Sequence, residues 1–231
     1  MISRLFVFAA GRGARLAPLT DRVPKPLVMV AGKPLIDYHL ERAQRANIQD
    51  VVINVSYKGQ QIIDHVGDGA RFGLNVIYSI EPKPLETAGG LVFARQHLGD
   101  GDFFLLNADI YTHIELAQFK KPVGQSLHLL MVPNPEEQPH GNFALDKNGM
   151  LHDIAAIEAS NYTYSGMGVY STEFVDSIDM LGYGEPEYQR LPFYMRRWMR
   201  EQRVSGQLID DFWCDVGTMQ RLQQLDTFLK Q

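Results

Sequence analysis

Lys25 stands between Pro24 and Pro26, a bracket that restricts the backbone on both sides and aims the ammonium. A solvated surface lysine needs no such setting. Upstream, Arg15 carries a planar fork suited to two-pronged phosphate contact. Ala10, Gly11 and Gly13 form a turn whose glycines free the backbone, so that several N–H groups can converge on phosphate oxygens. Gly-x-Gly by itself reads at least as well as an ordinary strand-ending turn. Joined to two cations, it reads as a site for a polyphosphate, with the cations placed to stabilise charge that develops during transfer. Two better-known phosphate loops do not apply. Leu16 occupies the third glycine position of a dinucleotide fingerprint, and no Gly-Lys-Ser/Thr follows.

A polyphosphate reaction usually needs Mg2+, whose hard oxygen ligands are commonly one or two carboxylates plus substrate phosphates. Asp109 follows the apolar run Phe103 to Ala108, at the kind of strand end where open α/β sheets bind ligands. Asp215 follows Phe212-Trp213-Cys214 and precedes Val216-Gly217-Thr218, at the entry to the last helix. Judged singly, the first reads equally as a turn aspartate and the second as a helix cap. Burying either charge without a partner would be costly, and a bound cation would resolve that cost.

The elements that must position these residues are legible as apolar runs. Arg4 to Ala9, Asp50 to Ser56, Leu74 to Ile80 and Asp102 to Asn107 read as buried strands. Helical patterns lie between them: Pro34 to Ala46, with Leu35, Tyr38 and Arg42 on neighbouring turns, then Gly59 to Gly69, then Gly89 to Gly99. Strands alternating with helices indicate a three-layer α/β sheet that is parallel in the first half. In the second half strand-like runs come in close succession, Gln125 to Pro133, Gly141 to Asp146, Met150 to Ala156 and Tyr162 to Tyr170. Lys147-Asn148-Gly149 marks a turn between two of them. Helices return at Leu191 to Gln202 and from Gly217 onward. No linker divides the halves, which favours one domain with a mixed sheet and a small β flap.

Composition sets outer bounds. A net charge of -5 argues against a general nucleic-acid binder, which would carry a basic surplus. Cys214 is the only cysteine, so no intrachain disulfide or thiolate cluster forms, and its neighbours Phe212 and Trp213 predict a buried apolar role. No apolar stretch approaches the ~20 residues that span a bilayer, and no signal-peptide pattern opens the chain, so a cytoplasmic location without membrane partners is expected. Neither H-E-x-x-H nor G-x-S-x-G occurs, which removes the zinc protease and serine hydrolase readings.

The stretch from Ala9 to Leu27, AAGRGARLAPLTDRVPKPL, resembles the signature of sugar-1-phosphate nucleotidylyltransferases. It departs at Ala14, where many members carry threonine. LLNAD, ending at Asp109, resembles that family's Asn-Gly-Asp strand end, with Ala108 in place of glycine, and WCDVGT resembles its Trp-x-Asp-Val/Ile-Gly-Thr. The resemblance implies a Rossmann-like nucleotidyltransferase fold over residues 1–231, with 1–110 the nucleotide half and 111–231 the sugar half. It implies Mg2+ held by Asp109 and Asp215, and Lys25 and Arg15 acting on phosphates. The motif from Pro84 to Leu91 implies contacts to the nucleotide from Glu81, Thr87 and Gly89, joining Ala10, Gly11 and Gly13.

Glu86, Asn107, Gly141, Asn142, Glu158 and Ser165 are the corresponding sugar candidates, and the loop 133–143 is a candidate lid. Motif order is most similar to that of the small N-acetylmuramate-1-phosphate uridylyltransferases of bacterial cell-wall recycling. The implied substrates are a nucleoside triphosphate and a sugar 1-phosphate. Many hexose-1-phosphate members carry a Glu-Lys-Pro whose lysine meets the sugar phosphate, whereas Ile157-Glu158-Ala159-Ser160 offers no lysine here. Making a UDP-, dTDP- or GDP-hexose, or only binding nucleotide sugar as a regulatory subunit, stay open as alternatives.

Overall fold

The buried runs become strands because each alternates its side chains between two apolar layers. In a computed structural model, which describes residues 2–136, 138–154, 160–178 and 190–230, the first half contains β1 (Arg4–Phe8), β2 (Met29–Val30), β3 (Lys33–Pro34), α1 (Leu35–Arg45), β4 (Asp50–Val55), α2 (Gly59–Val66), β5 (Asn75–Ile80), α3 (Glu86–Phe93), α4 (Arg95–Leu98) and β6 (Asp102–Asn107). Then follow β7 (Ile110–Thr112), β8 (Leu127–Val132), β9 (Phe143–Leu145), β10 (Leu151–Asp153), β11 (Ser160–Ser171), α5 (Thr172–Asp176), α6 (Leu191–Arg200), β12 (Val204–Leu208), β13 (Trp213–Asp215) and α7 (Met219–Phe228).

Strands β6, β1, β4 and β5 lie side by side and parallel. Leu5, Val7, Ile53 and Leu106 enter one core layer, while Phe6, Val52 and Leu105 enter the other, so helices cover both faces. The carboxyl ends of these strands converge: Phe8 is in register with both Asn54 and Asn107. Loops carrying Gly11, Glu81 and Asp109 therefore leave one edge of the sheet together.

β11 joins this parallel half to the rest. Its residues Met167–Ser171 run antiparallel to β6, Ser160–Tyr162 pair with β9, and β8 follows it from Thr163 to Tyr170. The expected flap is the β9–β10 hairpin, and β11 makes it continuous with the nine-stranded mixed sheet. Its turn lies where Lys147-Asn148-Gly149 placed it, tied by Asp146 Oδ1, which accepts from the Asn148 and Met150 amides.

Three local expectations need correction. Gly89 to Gly99 is not one helix but two, α3 and α4, meeting at Ala94. There Arg95 donates to the Gly99 carbonyl and to Asp176, turning the second piece toward α5. Asp215 does not open the last helix: it ends β13, and Thr218 caps α7 by accepting from the Arg221 amide. Cys214 is half-buried and sits against the Asp215 carbonyl at 3.5 Å. Among the described residues no helix is long and apolar enough to cross a membrane.

β7 and β13 form a separate two-stranded ribbon, with Asp215 opposite Ile110 and Trp213 opposite Thr112. A third apolar cluster, including Tyr111, Val216, Leu222 and Leu225, packs the ribbon against α7 and the β2–β3 turn.

Candidate active site

The phosphate loop is built around the lysine. Gly13 has φ +64°, and a Cβ there would stand 3.1 Å from both Cβ and Cδ of Lys25. Glycine is thus required for the lysine stem to pass beneath the loop. Thr20, buried, donates to the Gly13 carbonyl at 3.0 Å and pins the turn. Pro24 is extended, and Lys25 begins a short 3-10 turn, so the prolines do orient the side chain. Lys25 is itself only 8% exposed, and its Nζ lies 2.5 Å from Asp109 Oδ2.

The ribbon brings the second carboxylate to the first. Val216 donates its amide to the Asp109 carbonyl at 2.7 Å, locking the end of β13 to the residue that precedes β7. Asp215 is paired with Arg221. A Cβ on Gly217 would lie 3.2 Å from Asp215 Oδ1 and 3.4 Å from Arg15 Nη2, so Asp215 and Arg15 approach the same glycine. Loop, lysine, arginine and Asp109 thereby surround one region, which Asp215 reaches only through its approach to Gly217, standing outside the cleft lining itself.

Its cleft has a volume of about 750 Å3. Ala10, Gly11, Gly13, Arg15, Lys25 and Asp109 line one part, and Glu81, Glu86, Thr87 and Asn107 line another. Gly11 has open space around its Cα. Among the described residues no group of three or more His, Cys, Asp or Glu side chains is arranged to hold a metal ion. Two half-exposed carboxylates are nonetheless a donor set of the right chemistry for Mg2+, which takes one or two such ligands together with substrate phosphates.

Other candidates are engaged elsewhere. Glu81 is buried, and its carboxylate accepts from Asn54 Nδ2 at 2.6 Å and from the Leu85 amide at 3.0 Å. Burial raises its pKa, and those two hydrogen bonds oppose the rise. Asn54 in turn accepts from the Ala9 amide at 2.7 Å, so Glu81 and Asn54 brace the loops after β5 and β1 against each other. Thr87 accepts from the Leu191 amide, tying α3 to α6. Gly89 is buried within α3. Glu86 adopts φ +57° and pairs with Arg190.

Asn142 Oδ1 accepts from the Tyr164 amide, Ser165 Oγ from the Met167 amide, and Gly141 packs against the Tyr162 carbonyl. These three stand outside the cleft lining, and Glu158 lies outside the described residues. In the loop 133–143, Asn134 donates to the Pro139 and Asn161 carbonyls and accepts from Thr163, which moors it to β11.

Asn54 and Arg221, which contact Glu81 and Asp215, carry no motif of their own, and Gly90 lies within the Pro84 to Leu91 motif without being singled out by it. A Cβ on Gly90 would fall 2.5 Å from Glu81 Oε1 and 2.9 Å from Asn54 Nδ2. Gly90→Ala should therefore break that buried bond and lower the unfolding free energy by about 1–3 kcal/mol, measured by urea denaturation. Unchanged stability would mean that the brace yields without cost.

The profile of the family described as nucleotidyl transferase matches residues 5–231. The N-acetylmuramate alpha-1-phosphate uridylyltransferase of Neisseria meningitidis serogroup B is 41% identical over 228 residues, covering 96% of each chain. The mannose-1-phosphate guanyltransferase of Saccharomyces cerevisiae is 29% identical over 232 residues, which cover 91% of this chain and 60% of that one. In fold, the chain is similar to HddC from Yersinia pseudotuberculosis, solved in complex with GMP-PN. The TM-score is 0.80 at 18% identity, covering 99% of this chain and 100% of that one.

Proposed function

The chain belongs to the nucleotidyl transferase family, and from that premise we propose that it transfers the uridylyl group of UTP to N-acetylmuramic acid 1-phosphate. A phosphate oxygen of the sugar 1-phosphate attacks the α-phosphorus in line. The new P–O bond forms as the bond to the bridging oxygen breaks, and pyrophosphate leaves with that electron pair. UDP-N-acetylmuramic acid is the other product. The attacking oxygen is already ionised, so no enzyme nucleophile is needed, and the protein contributes placement and charge stabilisation.

The observation that carries this reading is the 2.5 Å contact between Lys25 and Asp109, with Val216 bonded to the same aspartate from the other side. Lys25 and Arg15 hold the triphosphate as charge moves onto the leaving group. Amides of Ala10, Gly11 and Gly13 seat the nucleotide, and Thr87 lines the approach of the base, with Gly89 supporting it from within α3. Glu81 keeps the loops around it in position. Asp109 and Asp215 would hold Mg2+, which supplies Lewis-acid charge neutralisation at the phosphates when bound. Asn107 and Glu86 lead the sugar candidates because they line the cleft; Gly141, Asn142 and Ser165 follow. We read residues 1–231 as one such domain, working in the cytoplasm.

Pyrophosphate release tests this directly. With UTP, dTTP and GTP offered against the 1-phosphates of N-acetylmuramic acid, N-acetylglucosamine, glucose and mannose, UTP with the muramic sugar should give the highest kcat/KM. A preference for GTP and mannose 1-phosphate would move the protein to the hexose branch. Tight UDP-sugar binding without turnover on any pair would make it a regulatory subunit.

A further inference from the structure

Asp215 ends β13 and Asp109 immediately precedes β7, in a ribbon whose ladder, among the described residues, joins only these two strands. Beneath it lies α1, with His39 and Arg42 one turn apart and almost fully buried, at 0% and 3% exposure. Arg42 Nη2 donates to the Thr112 carbonyl, at the end of β7, at 2.5 Å. Its Nη1 lies 3.0 Å from His39 Nδ1. A guanidinium has donors only, so Nδ1 must accept, and the ring hydrogen sits on Nε2. That Nε2 is buried and makes no well-aligned bond. The backbone carbonyls that act on the ring are those of Ala108 and Ile110, the residues on either side of Asp109.

An arginine buried against neutral acceptors is an expensive way to fill space. Its desolvation is offset by hydrogen bonds and by the charge of Glu115, which is itself half-exposed and paired with Arg45. Apolar side chains would pack the same volume at lower cost. What the polar pair provides instead is directional hold on three alternate positions of one short segment, Ala108, Ile110 and Thr112. Burial and the Arg42 charge push the His39 pKa down to about 3, so the ring stays neutral and keeps this hydrogen arrangement across the working pH range.

We propose that His39 and Arg42 are positioning residues for the metal-binding carboxylates: together they hold the carbonyls of the residues on either side of Asp109 and the end of β7, and through the ribbon they set Asp215. The inference rests on the reading of Asp109 and Asp215 as metal ligands. Outer partners that orient metal ligands typically contribute ~10–100-fold to affinity.

The test is a Mn2+ titration of the full chain followed by electron paramagnetic resonance, with a non-hydrolysable UTP analogue saturating. His39→Leu and Arg42→Met should each weaken Mn2+ binding by about tenfold or more. Affinity for the analogue in the absence of metal should stay unchanged. His39→Gln, whose amide can accept from Arg42 and donate toward the carbonyls, should retain most of the Mn2+ affinity. If the first two variants do not fold, Arg42→Lys keeps the charge, loses the bridge from His39 to Thr112, and should show the same weakening. Lower melting temperatures with unaltered Mn2+ affinity would reduce the pair to packing and overturn the proposal alone. Wild-type protein that binds no Mn2+ with the analogue present would overturn the metal reading as well.

Discussion

Lys25→Ala is expected to lower kcat by on the order of 10² to 10³, the scale seen when one preorganised charge-stabilising donor is lost. The KM for UTP should move far less, because the ammonium acts most where charge shifts onto departing pyrophosphate. Preorganisation here is structural: the stem is clamped beneath Gly13, the backbone is set by Pro24, and Nζ is already against Asp109. Lys25→Met separates charge from packing, since it keeps an unbranched stem under the loop. It should lose turnover like the alanine variant while holding its melting temperature. A raised KM with unchanged kcat would instead make Lys25 a ground-state phosphate clamp, and steady-state kinetics on both variants decide between the two.

Asp109→Asn should produce the second large loss. A divalent ion at phosphates is worth several kcal/mol of charge stabilisation, and about 1.4 kcal/mol is tenfold in rate, so kcat should fall on the order of 10² or more. The Mg2+ concentration for half-maximal rate should rise in the same variant, since the ligand has lost its charge. Chelation by EDTA should abolish wild-type turnover, and added Mg2+ should restore it. Asp109 also anchors Lys25 and the Val216 amide, so the measurement has to include a melting curve. The amide introduced by the substitution can still meet Lys25 through its carbonyl oxygen, which keeps the fold comparison fair. Full activity of the variant at low Mg2+ would remove the metal from Asp109.

How much of this was legible beforehand depended on range. β1, β4 and β6 are written as local apolar runs, and the lysine announces itself through its two prolines. β7 and β13 were not legible, because three residues are too few for alternation to stand out, and their pairing depends on partners far apart in the chain. Asp215 was placed at a helix entry for the same reason: Thr218, three residues on, is the side chain that caps. Glu81 could be marked for the site, yet its bonds to Asn54 and Leu85 exist only once β4 and β5 are aligned. Gly90 beside Gly89 shows the limit most clearly. Both read as helix-start glycines, and only the position of the Glu81 carboxylate shows that Gly90 lacks room for a methyl group.

The two strands of the ribbon come from either side of everything between β8 and β12, so the acidic pair cannot assemble until that long intervening stretch has folded back on itself. A growing polypeptide that has already shaped its N-terminal half would hold Lys25 and Asp109 ready and still lack their counterpart. On the proposed function, metal chemistry on bound triphosphate would thereby be reserved for the finished molecule, and a half-made one would have no means to spend UTP.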